Sequence, residues 1–380
     1  MNVDGGRIEG GRIEGARIAT KSRSARAWKF RLGGGASPAD GSRIAGIDVA
    51  RGFAIIGMFA AHAIPRADNS ELLVDGRPSI LFATLAGVSL GIMTGSTRPP
   101  GPGRRGDPVV GILVRALIIF LLGVTLAVLD SEVAVILDFY AVMFLLMTPM
   151  LFFPRWALGA LAAVLAVAAP ALAAVVYGAD RDAPALLEIA QYYLLTGNYP
   201  ALVWLPFLLV GLISARSGLG RARTQLWMIA SGTAAAVLGY GGAALLQGVT
   251  AEAHSGSTAE VVGSGGFAVA FIGVMLWLTS AERGGFGVAV GWITRPIGAT
   301  GSMPLTIYTL QVITLTVFAD LRERTDGAIQ YPGWPLLIGM TIASLLFATL
   351  WRRFLGKGPL ERMLAAASRA PAPANRQPDR

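Results

Sequence analysis

The sequence predicts an all-α fold, a polytopic membrane helix bundle of about ten transmembrane helices with both termini in the cytoplasm. Three observations lead there. The chain is 54% hydrophobic and only 14% charged, whereas soluble domains carry roughly 25% charged residues. Its apolar runs approach the length of about 20 residues that crosses a hydrocarbon core of roughly 30 Å. With the N-terminus inside, five of the 32 Lys and Arg (Arg66, Arg77, Arg181, Arg322 and Arg324) fall outside and the other 27 fall inside. That is the sidedness the positive-inside rule requires, so the net charge of +9 needs no nucleic-acid partner. The absence of cysteine excludes disulfides, thiolate metal sites and cysteine nucleophiles.

Taken in order, residues 1–42 read as a disordered basic cytoplasmic tail with a near-repeat, GGRIEG, GRIEG, GARI, and no apolar period to bury. It does not read as a signal peptide; an upstream, mis-assigned start codon would account for it. A single membrane domain is expected over 43–365, with spans near 46–64, 78–95, 109–129, 133–153, 156–177, 199–215, 225–247, 266–281, 297–318 and 334–352. The eighth is the weakest, being short and flanked by glycine. Residues 183–198 are too polar and short to span and read as interfacial. In the second span Ala83, Ala86, Gly87, Gly91 and Gly95 allow close helix contact. The last span ends in a basic cluster followed by a short amphipathic helix, and 366–380 reads as a second disordered tail.

Ionisable side chains inside these spans are the functional candidates, because each costs roughly 2.5–3.5 kcal/mol at a bilayer centre. Asp48 and Arg51 share one helical face at the inner end of the first span. They are either an orienting ion pair or, through the planar fork of Arg51, a binding point for a phosphate-like anion. His62 lies eleven residues on, about 16 Å along the helix and towards the outer leaflet. It is either a satisfied interfacial side chain or a general base or acyl carrier. Asp138 shares that leaflet and either supports an imidazolium or faces water. Thr306, Tyr308, Thr309 and Gln311 put polar groups inside the ninth span, where they need partners. His254, in the polar outer loop AEAHSGSTAE, reads as solvated. No Walker, Rossmann, zinc or nucleophile-elbow motif occurs, so no metal is expected.

The opening DVARGFAIIGMFAAH (Asp48–His62) resembles the first span of the DUF1624/DUF418 (YeiB-like) bacterial membrane proteins. These are related to lysosomal heparan-α-glucosaminide N-acetyltransferase. GRPSILFATLAGVSLGIMTG, VILDFYAVMFLL, TGNYPALVWLPFLLVGL, the Gly301–Gln311 run GSMPLTIYTLQ and GPLE at Gly358–Glu361 are similar in the same order, so the likeness covers about 43–365. The resemblance implies a transmembrane acyltransferase that takes an acetyl group from cytoplasmic acetyl-CoA and delivers it to an amine or hydroxyl on the other side. It implies that Arg51, Arg115, Arg295 and Arg352 hold the CoA phosphates and that His62 faces the acceptor. In the lysosomal enzyme the matching position is an active-site asparagine, and its catalytic histidine lies in the following loop. Here that loop, Ala63 to Arg77, has no histidine.

The leading reading is therefore acyl transfer from acyl-CoA to an envelope glycan or glycolipid. His62 acts as base or acyl carrier, Asp138 orients it, and Tyr308 or Gln311 donates to the oxyanion. The composition, rich in Arg, Ala and Gly, points to a high-GC bacterium, hence to an inner (plasma) membrane. The partners expected are the lipid bilayer, acyl-CoA and the acceptor, with no nucleic acid and with a homodimer allowed for. The rival reading is a transporter or exporter of a small amphipathic or anionic solute. A third is an inactive member that organises envelope partners.

Overall fold

Hydrophobic runs of this length satisfy their backbone only as helices when no water is present, and fourteen α-helices result among the described residues. The computed structural model describes residues 44–64, 71–129, 133–178, 184–319, 324–325, 328–329 and 333–368. The expected tail over 1–42 lies outside them, as do Arg66, Arg181 and Arg322.

The helices run α1 Ala45–Ala63, α2 Arg77–Met93, α3 Gly106–Ala127, α4 Leu137–Met147, α5 Arg155–Tyr177, α6 Ala185–Gln191 and α7 Ala201–Ser217. They continue with α8 Ala222–Leu245, α9 Thr258–Leu278, α10 Gly285–Ile293, α11 Arg295–Gly301, α12 Pro304–Ala319, α13 Gly333–Phe354 and α14 Pro359–Ala367. Several prolines sit at helix ends, where their missing N–H costs little, while Pro170 and Pro206 lie inside α5 and α7. Pro78 and Pro359 open α2 and α14, and Pro149 tightens the end of α4 into a 3-10 turn over Thr148–Met150. A two-residue antiparallel pairing, Arg324↔Ile329 and Thr325↔Ala328, precedes α13.

Six helices (α1, α3, α5, α8, α9 and α13) are long and apolar enough to cross a membrane. The count reaches eight if two bent pairs are each one span. One pair is Ala185–Thr196 with α7, bent by 46°, and the other is α11 with α12, bent by 83°. The spans expected at 78–95 and 133–153 are shorter helices, α2 and Leu137–Met150. The multi-pass helical architecture is thus present, with six to eight spans of standard length.

Two boundaries differ instructively. The weak eighth span is the 21-residue α9, which starts at Thr258 rather than 266. Ser257 caps it by accepting from the Glu260 N–H at 3.0 Å. The Ser-x-x-Glu spacing is that of a capping box, although the Glu260 carboxylate instead takes N–H bonds from His254 and Gly256, both at 2.7 Å. A buried glutamate in the first turn lowers the hydropathy there and hides the helix from a window average. The interfacial stretch 183–198 becomes α6 and a π-helical turn over Tyr192–Thr196 that leans on α5 and α7.

The bundle is organised around α1. Of its apolar window 61% lies inside the protein, against 17–33% for α3, α5, α8 and α13. Those outer helices present apolar side chains such as Leu117, Val167, Leu238 and Ile342 outward, as lipid-facing helices do. The small-residue stripe on α2 packs as its composition predicts. A side chain at Gly87 would collide with the Leu208 carbonyl of α7, and one at Gly91 with Ala215.

Candidate active site

At the N-terminal end of α1, α1 and α11 touch backbone to backbone. A Cβ at Gly301 would overlap the Asp48 carbonyl, and one at Gly52 would overlap that of Ile297. This contact lets the Arg51 guanidinium join three elements. Its Nη1 donates to Asp48 Oδ1 at 3.2 Å and to the Gly301 carbonyl at 3.1 Å, and its Nη2 donates to Ser89 Oγ on α2 at 3.0 Å. Asp48 is buried. The expected pair forms, and Gly301 and Ser89 are partners that periodicity could not supply.

Arg51 lines a cavity of about 310 Å³ between α1, α2, α3, α4, α12 and α14. Arg115 and Lys357 add two further positive charges to its wall, and Tyr140 and Tyr308 line it deeper in. Nε of Arg115 is buried with no hydrogen-bond partner among the described residues. A buried guanidinium nitrogen left unpaired is costly, which leaves this one suited to an anion or a carbonyl. Arg295 and Arg352 are elsewhere. They line a second cavity, of about 390 Å³, together with Asp48 and Arg353. Arg295 stacks on Trp292 at 4.4 Å, and Arg352 donates to the Gly298 carbonyl at 3.3 Å. The four candidate arginines therefore divide into two pairs.

The sharp bend before α12 leaves its first N–H groups without helical partners. Glu361 of α14 takes them: its Oε1 accepts from the N–H groups of Leu305 at 2.8 Å and Thr306 at 3.1 Å, and its Oε2 accepts from Thr306 Oγ1 at 2.6 Å. The motifs GSMPLT and GPLE, 55 residues apart, are two halves of one cap. Glu361 also lines the cavity beside Lys357.

Tyr308 and Gln311, three apart on α12, face different spaces. Tyr308 lines the basic cavity, and its hydroxyl oxygen accepts from the Ile136 N–H at 3.2 Å. Gln311 is 2% exposed, neither of its amide atoms has a partner among the described residues, and it lines a separate cleft of about 500 Å³ between α12 and α13. They do not form a joint oxyanion site.

Asp138, in the first turn of α4, is buried. Its Oδ2 accepts from the Tyr193 hydroxyl at 3.1 Å, and its Oδ1 has no partner among the described residues. The expected hydrogen bond to His62 is not formed, because α4 begins at Leu137, about one turn later than the hydropathy suggests, and turns the carboxylate to the 192–196 turn. Around it stand rings that sequence reading left unassigned. Phe139 packs on Tyr192, Tyr193 and Tyr199 at 5.4, 5.0 and 5.8 Å, and the Tyr140 hydroxyl donates to the Ser79 carbonyl at 3.3 Å. The QYY and NY pairs before α7 were the available signal. His62 sits in the last turn of α1, half-buried.

His254 keeps an edge in solvent, as expected of a loop residue, but its ring is not free. It meets Tyr199 edge-on at 5.6 Å and stacks on Trp204 at 6.3 Å. That packing pulls its pKa below the usual imidazole range, against the opposing charges of Asp75 and Glu71.

A family model described as "Heparan-alpha-glucosaminide N-acetyltransferase, catalytic" matches residues 43–247, more than half of the chain. The chain belongs to this family. A second model, "Protein of unknown function (DUF418)", matches residues 213–369. A search of curated proteins returns no match. In this acetyltransferase-family chain the first match carries Arg51, His62, Arg115 and Asp138, and the second carries Arg295, Tyr308, Gln311, Arg352 and Glu361. The basic cavity takes its walls from both. A half-chain fragment of this acetyltransferase-family protein would lack either Arg51 and Arg115 or Tyr308 and Lys357.

Proposed function

We propose that the protein is an integral membrane acyltransferase. It moves an acetyl or other acyl group from cytoplasmic acyl-CoA to an amine or hydroxyl of an extracytoplasmic envelope glycan or glycolipid. The observation that carries this reading is the cavity holding Arg51, Arg115 and Lys357, with Tyr308 and Tyr140 deeper in its wall. At about 310 Å³ it is at the small end for ligand cavities. It therefore takes the thioester end of the donor, and the nucleotide remains at the inner mouth, with Arg295 and Arg352 nearby as further anion contacts. In this reading the bent pairs and the two shorter helices also cross, which makes ten spans with both termini on one side, and the basic bias of the loops supports that side being the cytoplasm of a bacterial inner membrane.

In this scheme the acceptor heteroatom attacks the thioester carbonyl carbon while His62 takes its proton. Tyr308, whose oxygen already accepts from Ile136, has its own O–H left to donate to the oxyanion that develops. The carbon–sulfur bond then breaks and the CoA thiolate leaves. Asp138 acts at a distance, by holding Tyr193.

The exporter reading has one observation in its favour, the 83° break between α11 and α12, because broken helices mark many transporter sites. The positive end of α12 is, however, already occupied by Glu361, which removes the feature a transporter would use for an anionic solute. The test is direct. Purified protein in liposomes is given acetyl-CoA inside and envelope glycan extract outside, and free CoA thiol is measured. Thiol release that depends on the extract and is lost in His62→Ala supports the assignment. Release at the wild-type rate in that variant removes His62 from it, and no release with any acyl-CoA sinks the enzyme reading.

A further inference from the structure

The cleft between α12 and α13 has no part in the scheme above. It is the largest of the cavities described, about 500 Å³. Its floor is buried: Phe59 of α1, Gln311 of α12 and Leu336 and Met340 of α13. Its rim, including Leu310, Gly339 and Ala343, is exposed on the flank of the bundle. α13 packs on α1 and α11 and hardly on α12, and it turns small residues into the gap. A Cβ added at Gly339 would meet nothing within 4 Å. The opening thus faces the hydrocarbon of the bilayer, and water is not the natural occupant of an apolar space.

One feature separates this cleft from a mere gap between helices. The Gln311 side chain is buried in its floor with amide donor and acceptor both unpartnered among the described residues. An amide in hydrocarbon costs free energy until something bonds to it. A plain alkyl chain would fill the volume and leave Gln311 unsatisfied. A lipid chain with a hydrogen-bonding group at that depth satisfies both. Gln311 and Tyr308 also lie three residues apart, hence on adjoining faces of α12. A lipid seated in the cleft is therefore held one turn from the wall of the donor cavity.

We propose that the cleft is a lateral binding site for a membrane lipid, seating one hydrocarbon chain of the anchor that carries the acceptor, with Gln311 bonded to a polar group of that lipid. The identity of the lipid as acceptor anchor rests on the acyltransferase reading; the lipid site itself does not. Acceptors would then enter from the outer leaflet between α12 and α13.

The experiment uses full-length protein in liposomes doped with a glycosyl diacylglycerol bearing a mid-chain diazirine, irradiated and mapped by peptide mass spectrometry. Label is expected to concentrate in 307–318 and 333–344, above the equally lipid-exposed faces of α5 and α8. Gly339→Phe, which fills open space, should lower that label about tenfold, equivalent to roughly 1.4 kcal/mol. Gln311→Leu should lower it about fivefold, as loss of one hydrogen bond of roughly 1 kcal/mol predicts. Ala343→Phe serves as a second filler, with thermal unfolding confirming that each variant is folded. Label spread evenly over α5, α8 and the cleft, or label indifferent to both fillers, overturns the site. Cleft labelling in a protein that releases no thiol from any acyl-CoA leaves the lipid site standing and removes the acyltransferase. Thiol release without cleft labelling does the reverse. Label unchanged by Gln311→Leu overturns the polar contact.

Discussion

Replacing Glu361 by alanine should destabilise the protein out of proportion to its place in the first turn of the short last helix described. The carboxylate accepts three hydrogen bonds, from Leu305 N–H, Thr306 N–H and Thr306 Oγ1. All three come from the first turn of α12, whose donors the 83° bend leaves without helical partners. Net values for hydrogen bonds to a charged group run about 1.5–3 kcal/mol each, and favourable charge at a helix N-terminus adds about 0.3–1 kcal/mol. Glu361 is only half-buried, water from the cavity can reach the orphaned donors, and neighbouring bonds do not add. The low end of one or two such bonds is therefore the proper figure: about 3 kcal/mol for Glu361→Ala, on the order of a hundredfold in the unfolding equilibrium. Glu361→Gln keeps an acceptor but not the charge and should lose about half as much. The assay is reversible unfolding in mixed micelles, with Thr306→Val added to complete a double-mutant cycle. Thr306 and Glu361 should couple by roughly 1 kcal/mol, within the range for contacting residues. A Glu361→Ala protein within about 0.5 kcal/mol of wild type, or strict additivity with Thr306→Val, would refute the claim that this carboxylate caps α12.

Three further outcomes follow from the same geometry. Arg51→Ala and Arg115→Ala should each raise the KM for acyl-CoA about 10- to 100-fold, the worth of one charged hydrogen bond; Arg295→Ala and Arg352→Ala, on the exposed second cavity, should change it by less than tenfold in steady-state kinetics. Gly301→Ala drives a methyl group into the Asp48 backbone and, since backbone cannot swing aside, should cost at least about 3 kcal/mol, seen as loss of folded protein on size exclusion. His254 has its folded-state pKa held below the free value of 6.5. The unfolded chain therefore takes up the proton first, so the contribution is whole above about pH 6.5 and is lost as pH falls through the window down to the folded pKa. His254→Gln should flatten that part of the stability–pH curve.

Much of the fold was legible because hydropathy and charge sidedness act locally. The first span was read at 46–64 and is Ala45–Ala63; the amphipathic helix after the last span is α14; the glycine stripe of α2 meets α7. What escaped depends on partners far away in sequence. The bond from Arg51 to Gly301 spans 250 residues, and Glu361 reaches back 55 residues to Thr306. No periodicity encodes either. The four arginines had one residue type and one sidedness in common, and only packing assigns them to two cavities. His254 sits in a loop of polar residues, so nothing local announced the rings of Tyr199 and Trp204 beneath it. Asp138 was expected beside His62 and bonds Tyr193 instead, because apolar residues 133–136 extend the hydropathy signal past the true start of α4 at Leu137.

The remaining distance along α1 bears on how the acyl group moves. Pro78 packs on Gly57, whose Cβ position lies 2.7 Å from the proline ring. The carbonyl of the next residue, Ser79, accepts from the hydroxyl of Tyr140, which lines the basic cavity proposed for the donor. The Tyr140 end of that cavity therefore lies near the level of Gly57. His62 is five residues further out, about 7.5 Å at 1.5 Å per residue. An acyl-imidazole route needs the thioester carbon within roughly 3–3.5 Å of the ring nitrogen, which puts the whole gap on the donor. Direct transfer divides it. The acceptor's heteroatom meets the thioester near Tyr308, and its sugar-sized body spans the distance over which His62 draws the proton, directly or through one water. The spacing on a single central helix thus favours a ternary complex over a ping-pong intermediate. Pre-steady-state mixing with acyl-CoA alone decides it: a stoichiometric burst of CoA thiol in the absence of acceptor would count for the acyl-imidazole and against the spacing argument.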